Sequence, residues 1–223
     1  MLELKNISKY YINNKMSNKV LEDISIIFKE SSINTIIGNS GVGKTTLLNI
    51  LGLIDSPTKG TMYLKGKLID FDNDLSKTRL NKFGYVFQNH SLIPEYSIIE
   101  NLILPNIINN ISVKDAKQKA YTFLDKFSLL NIDNNYPESI SAGECQRVAI
   151  IRSLMNDPEI IIADEPTSNL DEENAQLIID FFSSLNNKNK YMFVIATHDK
   201  RFLKISLNNF KLTNKKLRKF YNE

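Results

Sequence analysis

Residues 38–46 read GNSGVGKTT and match the phosphate-binding pattern Gly-x-x-x-x-Gly-Lys-Ser/Thr. Glycines in this pattern let the backbone curl so that successive N–H groups point at an anion, and side chains there would collide with a phosphate. The lysine supplies positive charge for the β- and γ-phosphates, and the threonine hydroxyl is a ligand for Mg²⁺. We therefore predict a nucleoside triphosphate site formed by Gly38, Asn39, Ser40, Gly41, Val42, Gly43, Lys44, Thr45 and Thr46.

The residues on either side of this loop support the prediction. Residues 32–37 (SINTII) have the composition of a buried strand, and residues 46–51 (TLLNIL) have the apolar spacing of a helix. The N-terminus of that helix would face the anion and attract it. An ordinary glycine-rich turn would not require a strand before it and a helix after it.

Composition limits the class of protein. The 28 basic and 25 acidic side chains nearly balance, which argues against a dedicated nucleic-acid binder, and no nucleic acid is expected as a partner. Cys145 is the only cysteine, so an internal disulfide is excluded and a reducing compartment is favoured. No run of about 20 apolar residues and no signal-peptide pattern is present. We expect a cytoplasmic chain that would need another chain to cross a membrane.

Apolar strands alternate with helical segments along most of the chain. This order predicts an α/β fold with a buried, mostly parallel sheet and an inserted helical lobe over about residues 91–157. Predicted strands cover residues 2–7, 20–28, 83–87, 160–163 and 191–196, with a polar stretch over 13–19 and a hairpin over 60–69. Predicted helices cover residues 98–104, 113–129, 143–155 and 172–185.

Two carboxylates follow the predicted strand at residues 160–163. Asp164 would emerge at the carboxyl end of that strand, where ligands sit in open α/β sheets, and could hold Mg²⁺ opposite Thr45. Glu165 comes next and could act as a general base on the attacking water, or orient it. Two solvated carboxylates at a strand end are the alternative, but the phosphate-binding loop upstream favours the catalytic interpretation.

Residues 140–147 (ISAGECQR) resemble the signature of ATP-binding cassette (ABC) ATPases, Leu-Ser-Gly-Gly-Gln/Glu. Other motifs of the family follow its order. Gln88 stands at the position of the Q-loop glutamine, residues 168–171 (SNLD) match the D-loop, and His198 in residues 196–199 (ATHD) matches the switch histidine. The resemblance covers essentially the whole chain.

The resemblance implies a fold, a cofactor pair and a partner. It implies a P-loop NTPase core over about residues 1–90 and 158–223, an antiparallel β subdomain, and the helical subdomain over about 91–157 in one ABC domain. ATP and Mg²⁺ are the implied cofactors, with Thr45, Asp164 and Gln88 near the metal. Tyr11 is implied to stack on adenine, although Tyr10 beside it is an alternative.

The family's mechanism implies an ATP-dependent, head-to-tail homodimer. Ser141 and Gly143 of one copy would reach the γ-phosphate bound by the other copy, while His198 would contact that phosphate from the side. Glu165 would handle the water, and Gln88 would connect the site to the helical subdomain, which is implied to contact integral membrane permease subunits. A chain alone should therefore hydrolyse ATP poorly.

Residues 87–95 (FQNHSLIPE) and 100–105 (ENLILP) resemble one branch of the family in particular. That branch contains lipoprotein-releasing ATPases, MacB-type exporters and FtsE-like cell-division ATPases, and residues 101–105, 141–147 and 169–175 are most similar to the lipoprotein-releasing members. We expect a peripheral position on the cytoplasmic face of the inner membrane and a role in lipoprotein release. Macrolide or peptide export and cell division are the alternatives, followed by ABC ATPases acting in DNA repair or on ribosomes.

The chain departs from the family pattern in a few places. Ala142 replaces the first signature glycine and Cys145 stands where a basic residue is common, which predicts reduced activity. Residues 212–216 (LTNKK) lack the usual Asp-Gly turn, and the basic segment 215–219 could touch an anionic membrane or be a solvated end. His90 is expected at the surface near the partner-contacting loop.

Overall fold

The computed structural model describes residues 1–13, 16–168, 170–187 and 191–221. Two sheets form its frame. The first is antiparallel, in the order β2-β1-β4-β5, and consists of β1 (Leu2–Asn13), β2 (Met16–Phe28), β4 (Lys59–Leu64) and β5 (Lys67–Leu68). The second has the order β10-β9-β3-β8-β7-β6 and consists of β3 (Ile33–Ile37), β6 (Phe83–Val86), β7 (Ile160–Asp164), β8 (Met192–Ala196), β9 (Asn208–Thr213) and β10 (Lys216–Phe220).

The second sheet is parallel from β6 to β9, and only β10 at its edge runs antiparallel. Strands β3, β7 and β8 are buried over almost their whole length, because helices cover both faces of a parallel sheet. The predicted α/β class with a mostly parallel sheet and an antiparallel β subdomain is confirmed.

Seven α-helices occur in the described residues. Near the sheets they are α1 (Lys44–Leu51), α2 (Ser76–Lys82), α6 (Glu172–Asn187) and α7 (Phe202–Ile205). The other three, α3 (Ile98–Ile108), α4 (Val113–Lys126) and α5 (Ala142–Leu154), lie in sequence between the neighbouring strands β6 and β7. None of the helices in the described part of the chain is long and apolar enough to cross a bilayer.

The buried apolar side chains form three clusters that match these groups of strands and helices. One cluster joins the antiparallel sheet to α1 and one face of the parallel sheet, with Phe28 and Leu47 fully buried. A second cluster packs α6 on the other face through Phe182 and Phe193, whose ring centroids are 4.9 Å apart. A third joins α3, α4 and α5 around Leu102. The helices between β6 and β7 thus have a core of their own, and we call residues 98–154 the helical lobe.

The predicted break between the first two strands is wrong for the described residues. β1 continues to Asn13 and β2 starts at Met16, so the polar stretch is mostly paired strand, while Asn14 and Lys15 lie outside the described residues. A hairpin end that projects beyond a core needs no apolar alternation, which is why the pattern of polar residues misled the prediction.

The turn between β9 and β10 replaces the expected Asp-Gly pair with Asn214 and Lys215. Both have positive φ, 47° and 67°, as a two-residue hairpin turn requires. Asparagine tolerates this conformation better than most residues do. The carbonyl of Lys215 also accepts a hydrogen bond of 2.8 Å from the Glu22 amide, which ties the turn to β2.

Candidate active site

A cavity of about 610 Å³ opens at the carboxyl ends of the parallel strands. Strand β3 delivers the phosphate-binding loop to this edge, β7 delivers Asp164 and Glu165, and β8 leads to His198. The cavity is lined by Val20, Gly38, Asn39, Ser40, Gly41, Gly43, Lys44, Thr45, Thr46, Gln88, Asp164, Glu165 and His198. Residues predicted from four separate motifs therefore meet at one site.

The phosphate-binding loop has the backbone shape that its glycines allow. Gly41 and Gly43 have φ of 73° and 108°, and a Cβ on Gly43 would lie 2.9 Å from Val20 Cγ1. A Cβ on Gly41 would meet no atom within 4 Å. The loop thus leaves an open cradle at Gly41, and helix α1 begins at once with Lys44, so its N-terminus faces the cradle.

Lys44 is held inside the site. Its Nζ donates to the carbonyls of Gly38 at 2.8 Å and Asn39 at 3.3 Å, and lies 3.4 Å from Glu165 Oε1. The side chain is only 10% exposed. This ammonium is positioned to meet phosphate oxygens that enter the cradle.

Thr45 and Asp164 form an oxygen pair opposite the loop. Thr45 Oγ1 donates to Asp164 Oδ2 at 2.6 Å. Burial raises the pKa of Asp164, and the neighbouring Glu165 adds to that effect, while the Thr45 hydrogen bond opposes it. A hydroxyl beside one carboxylate, with room for phosphate oxygens and water, is a donor set that suits Mg²⁺.

Glu165 projects from a strained backbone. Its φ is 47°, and its amide donates to the Ala196 carbonyl at 2.8 Å, which links the end of β7 to β8. Glu165 Oε2 accepts from the His198 amide at 3.1 Å and lies 2.9 Å from His198 Nδ1. Non-glycine residues in this conformation cluster at functional sites. The carboxylate is thus fixed between a lysine on one oxygen and a histidine on the other.

The predicted signature residues lie outside this cavity. Ser141 caps α5, and its hydroxyl accepts from the Glu144 amide at 3.2 Å while Glu144 Oε2 accepts from the Ser141 amide at 2.8 Å. Hydrogen bonds from Ser141 lower the pKa of Glu144, so the carboxylate stays charged in this capping box. A Cβ on Gly143 would lie 3.3 Å from Asn174 Cγ, so this glycine allows α5 and α6 to approach closely.

Tyr11 and Val42 also lie outside the cavity lining. The Tyr11 hydroxyl donates to Asp55 Oδ2 at 3.0 Å, and the Lys9 ammonium, paired with Asp55 at 2.6 Å, sits 5.1 Å from the Tyr11 ring centroid. Val42 packs its side chain against the first apolar cluster. The role of Tyr11 in stacking on adenine stays a prediction.

Thr167, the residue before the D-loop at residues 168–171, is hydrogen-bonded to the switch histidine segment. Thr167 Oγ1 donates to Asp199 Oδ2 at 3.1 Å, and Arg201 Nη2 donates to the same oxygen at 2.7 Å. Burial opposes ionisation of Asp199, but the Arg201 and Thr167 hydrogen bonds outweigh it and lower its pKa. Asn169 of the predicted D-loop lies outside the described residues.

Two features of the site were not predicted from the sequence. Val20 lines the cavity and backs Gly43, yet nothing in its strand distinguishes it from its neighbours. His90, expected at the surface, is half-buried, and its Nδ1 is hydrogen-bonded to Gln146 Oε1 of α5. His90 is thus partly exposed in the segment after Gln88, as expected, and the feature that the sequence did not reveal is its hydrogen bond to α5.

Comparison with known proteins agrees with this geometry. The family model described as ABC transporter matches residues 21–168. The lipoprotein-releasing system ATP-binding protein LolD of Buchnera aphidicola (subsp. Schizaphis graminum) is 39% identical over 92% of this chain and 90% of its own. LolD of Wigglesworthia glossinidia brevipalpis is 39% identical over 98% of this chain and 96% of its own.

A solved structure shows the same fold. The ATP-binding cassette MJ0796, in a dimeric post-hydrolysis state bound to ADP and Pi, superposes with a TM-score of 0.92 at 33% identity and full coverage of both chains. The match includes both sheets and the helical lobe, since every residue of this chain is covered. From its cavity, its motifs and these relatives, the chain belongs to the ABC transporter family, as an ATP-binding subunit.

Proposed function

We propose that this chain is the ATP-hydrolysing subunit of an ABC transporter that releases lipoproteins from the inner membrane towards the outer membrane. The hydrolytic activity is inferred from the position of Glu165, which is held between Lys44 and His198 at the wall of the phosphate cavity. Identity of 39% to the lipoprotein-releasing LolD proteins over almost the whole chain supports the transported cargo.

ATP would bind with its phosphates in the cradle of the loop at residues 38–46. The backbone amides and the N-terminus of α1 would accept the anionic charge, and Lys44 would turn from the Gly38 carbonyl towards the phosphate oxygens. Because Lys44 also neighbours Glu165, this movement would leave the Glu165 carboxylate free to engage a water.

Glu165 would then take the role of general base, or orient the water, while His198 keeps the carboxylate in place. The residues fit Mg²⁺: Thr45 and Asp164 would hold it, with Gln88 nearby on the cavity wall. When bound, Mg²⁺ would neutralise charge on the phosphate oxygens.

A second copy would complete the site. Ser141 and Gly143 stand at the N-terminus of α5 and outside the cavity of their own chain, as a head-to-tail dimer would require. The dimer would sit on the cytoplasmic face of the inner membrane and act on membrane-embedded permease subunits through the Q-loop and the helical lobe.

The Glu165→Gln variant tests the hydrolytic assignment. We expect its ATP turnover to fall by roughly 10²–10⁴, the usual range for loss of a general base, while ATP affinity is retained. Steady-state phosphate release and a fluorescent-nucleotide titration measure the two quantities. Turnover equal to the parent chain would remove Glu165 from this role.

The same variant tests the cargo. Bound to ATP–Mg²⁺, it should retain its membrane partners when purified from detergent-solubilised native membranes, and mass spectrometry should find acylated lipoproteins with them. Partners of an export tunnel or of the division machinery, without lipoproteins, would contradict lipoprotein release and leave the ATPase assignment intact.

A further inference from the structure

The segment from Gln88 to Ser97, which we call the connecting loop, joins β6 to α3 and starts at the cavity wall. Its first turn is strained: His90 and Ser91 have φ of 56° and 52°. The left-handed region is unfavourable for residues other than glycine, so two such residues in succession need compensating contacts.

Those contacts come from the helical lobe. Arg152 of α5 donates through Nη2 to the His90 carbonyl at 3.0 Å, and Gln146 one and a half turns earlier accepts from the His90 ring. Gln146 is 2% exposed. Both side chains of α5 therefore hold the turn that comes two residues after Gln88.

Asn101 of α3 holds the second half of the connecting loop. It is fully buried, and its Oδ1 accepts from the Ile93 amide at 2.8 Å. Its Nδ2 is within hydrogen-bond distance of the carbonyls of Ile93, Tyr96 and Ser97, at 3.0, 3.0 and 3.1 Å. Arg152 Nη1 also reaches Asn101 Oδ1, at 3.4 Å. The buried Asn101 and Gln146 and the half-buried Arg152 thus hold the loop along its length.

Asn106 shows that this arrangement is specific to the loop. It lies on the same helix and is 4% exposed, but its Nδ2 donates to the Met155 carbonyl at 2.7 Å and to Asn156 Oδ1 at 2.9 Å. These contacts bind α3 to the end of α5 and do not involve the connecting loop. Asn106 is therefore a buried asparagine of the lobe that does not hold the connecting loop.

We propose that Asn101, Gln146 and Arg152 are positioning residues for Gln88. They make the connecting loop part of the helical lobe, so that the lobe, rather than the parallel sheet, sets where Gln88 stands at the cavity. This inference rests on the proposed ATPase function and names the side chains through which the lobe acts on the site.

A double-mutant cycle on turnover tests the proposal. Arg152→Lys keeps the charge but loses the planar fork that reaches two acceptors at once. We expect it to lower kcat for ATP about 10- to 100-fold, as misplacement of a site group by about 1 Å can do, with KM changed less than about threefold. In a Gln88→Ala background the same substitution should have no further effect, because a residue that acts through Gln88 loses its target.

Asn106→Ala is the matched control. It removes a buried asparagine from the lobe, and its effect on kcat should be the same with Gln88 or Ala at position 88. Gln146→Met, which removes the acceptor for His90 at similar volume, repeats the cycle if Arg152→Lys does not fold. An unchanged kcat in the folded variants, or an equal loss in both backgrounds, would overturn the proposal.

Glu165→Gln measured alongside separates this inference from the proposed function. If that variant is inactive and the Arg152 and Gln88 effects are independent, only the positioning role fails. If that variant turns over like the parent chain, Glu165 loses the proposed base role, and the double-mutant cycle still decides the positioning role by itself.

Discussion

At the scale of single residues, the site depends on backbone conformations that most side chains avoid. Gly43 at φ 108° and Glu165 at φ 47° bracket the cavity from the loop and from the strand end. Glycine removes the strain at the first position, whereas at the second the carboxylate is retained and the Ala196 carbonyl accepts from the Glu165 amide. The strained residue is the one with a proposed chemical role.

The two loop glycines make a matched pair for a stability measurement. Gly43→Ala should lower the free energy of unfolding by about 1–3 kcal/mol, because φ of 108° is strained for alanine and the new Cβ would press on Val20. Gly41→Ala has open space and a φ of 73°, and should cost about 1 kcal/mol. Urea unfolding without nucleotide measures the free energy of unfolding of both variants. An equal loss in the two variants would contradict a destabilising contact between the new Cβ and Val20.

At the scale of elements, helix α5 has two duties at opposite ends. Its N-terminus presents Ser141 to solvent, with Gly143 buried against α6, and its later turns hold the connecting loop through Gln146 and Arg152. Arg147, between them, donates to Asn174 of α6. Helix α5 therefore has two kinds of contact. It reaches the cavity wall indirectly, through the connecting loop, and it contacts α6 directly.

The cap of α5 gives a prediction with an internal comparison. Ser141 and Ser112 each cap a helix and accept a hydrogen bond from the third residue of it, so Ala at either position should destabilise the protein by about 1 kcal/mol. Only Ser141→Ala should also lower ATP turnover, because only that cap is proposed to meet the partner's nucleotide. Thermal unfolding measures the stability of both variants, and phosphate release measures their turnover. Equal turnover of the two variants would contradict a site shared between two copies of the chain.

Much of this organisation could be read from the sequence, for physical reasons that vary by element. Buried parallel strands such as β7 are continuous apolar runs, and their ends place Asp164 and Glu165 without further information. The predicted helix over residues 98–104 stopped short, since Pro105 reads as a helix end although α3 continues through it to Ile108. The hydrogen bonds of Tyr11 to Asp55 and of His90 to Gln146 depend on contacts between distant segments, which no local pattern encodes.

At the scale of the whole molecule, the phosphate-loop cavity is one feature of the described residues, and Ser141 at the start of α5 lies outside it. In the proposed head-to-tail dimer each copy would supply its signature to the cavity of the other, so ATP should bring two copies together. We expect the Glu165→Gln variant to elute as a dimer with ATP–Mg²⁺ and as a monomer without it in size-exclusion chromatography with light scattering. Lys44→Ala, which removes charge from the cradle, should remain monomeric under both conditions, and an ATP-independent dimer would contradict this interpretation.

The way the helical lobe is inserted restricts how it can move. The chain leaves β6 at its carboxyl end and returns to β7 at its amino end, and these strands are parallel neighbours. Val86 pairs with Ala163, three residues past Ile160, so the two connections are offset along the strands by about 10 Å. Ile150 and Leu154 of α5 also pack in the second apolar cluster, so the lobe is held to the sheet by these contacts as well as by the two connections. A rotation of the lobe relative to the sheet would therefore have to disturb this packing, and Gln88, beside the first connection, would carry the change to the cavity wall.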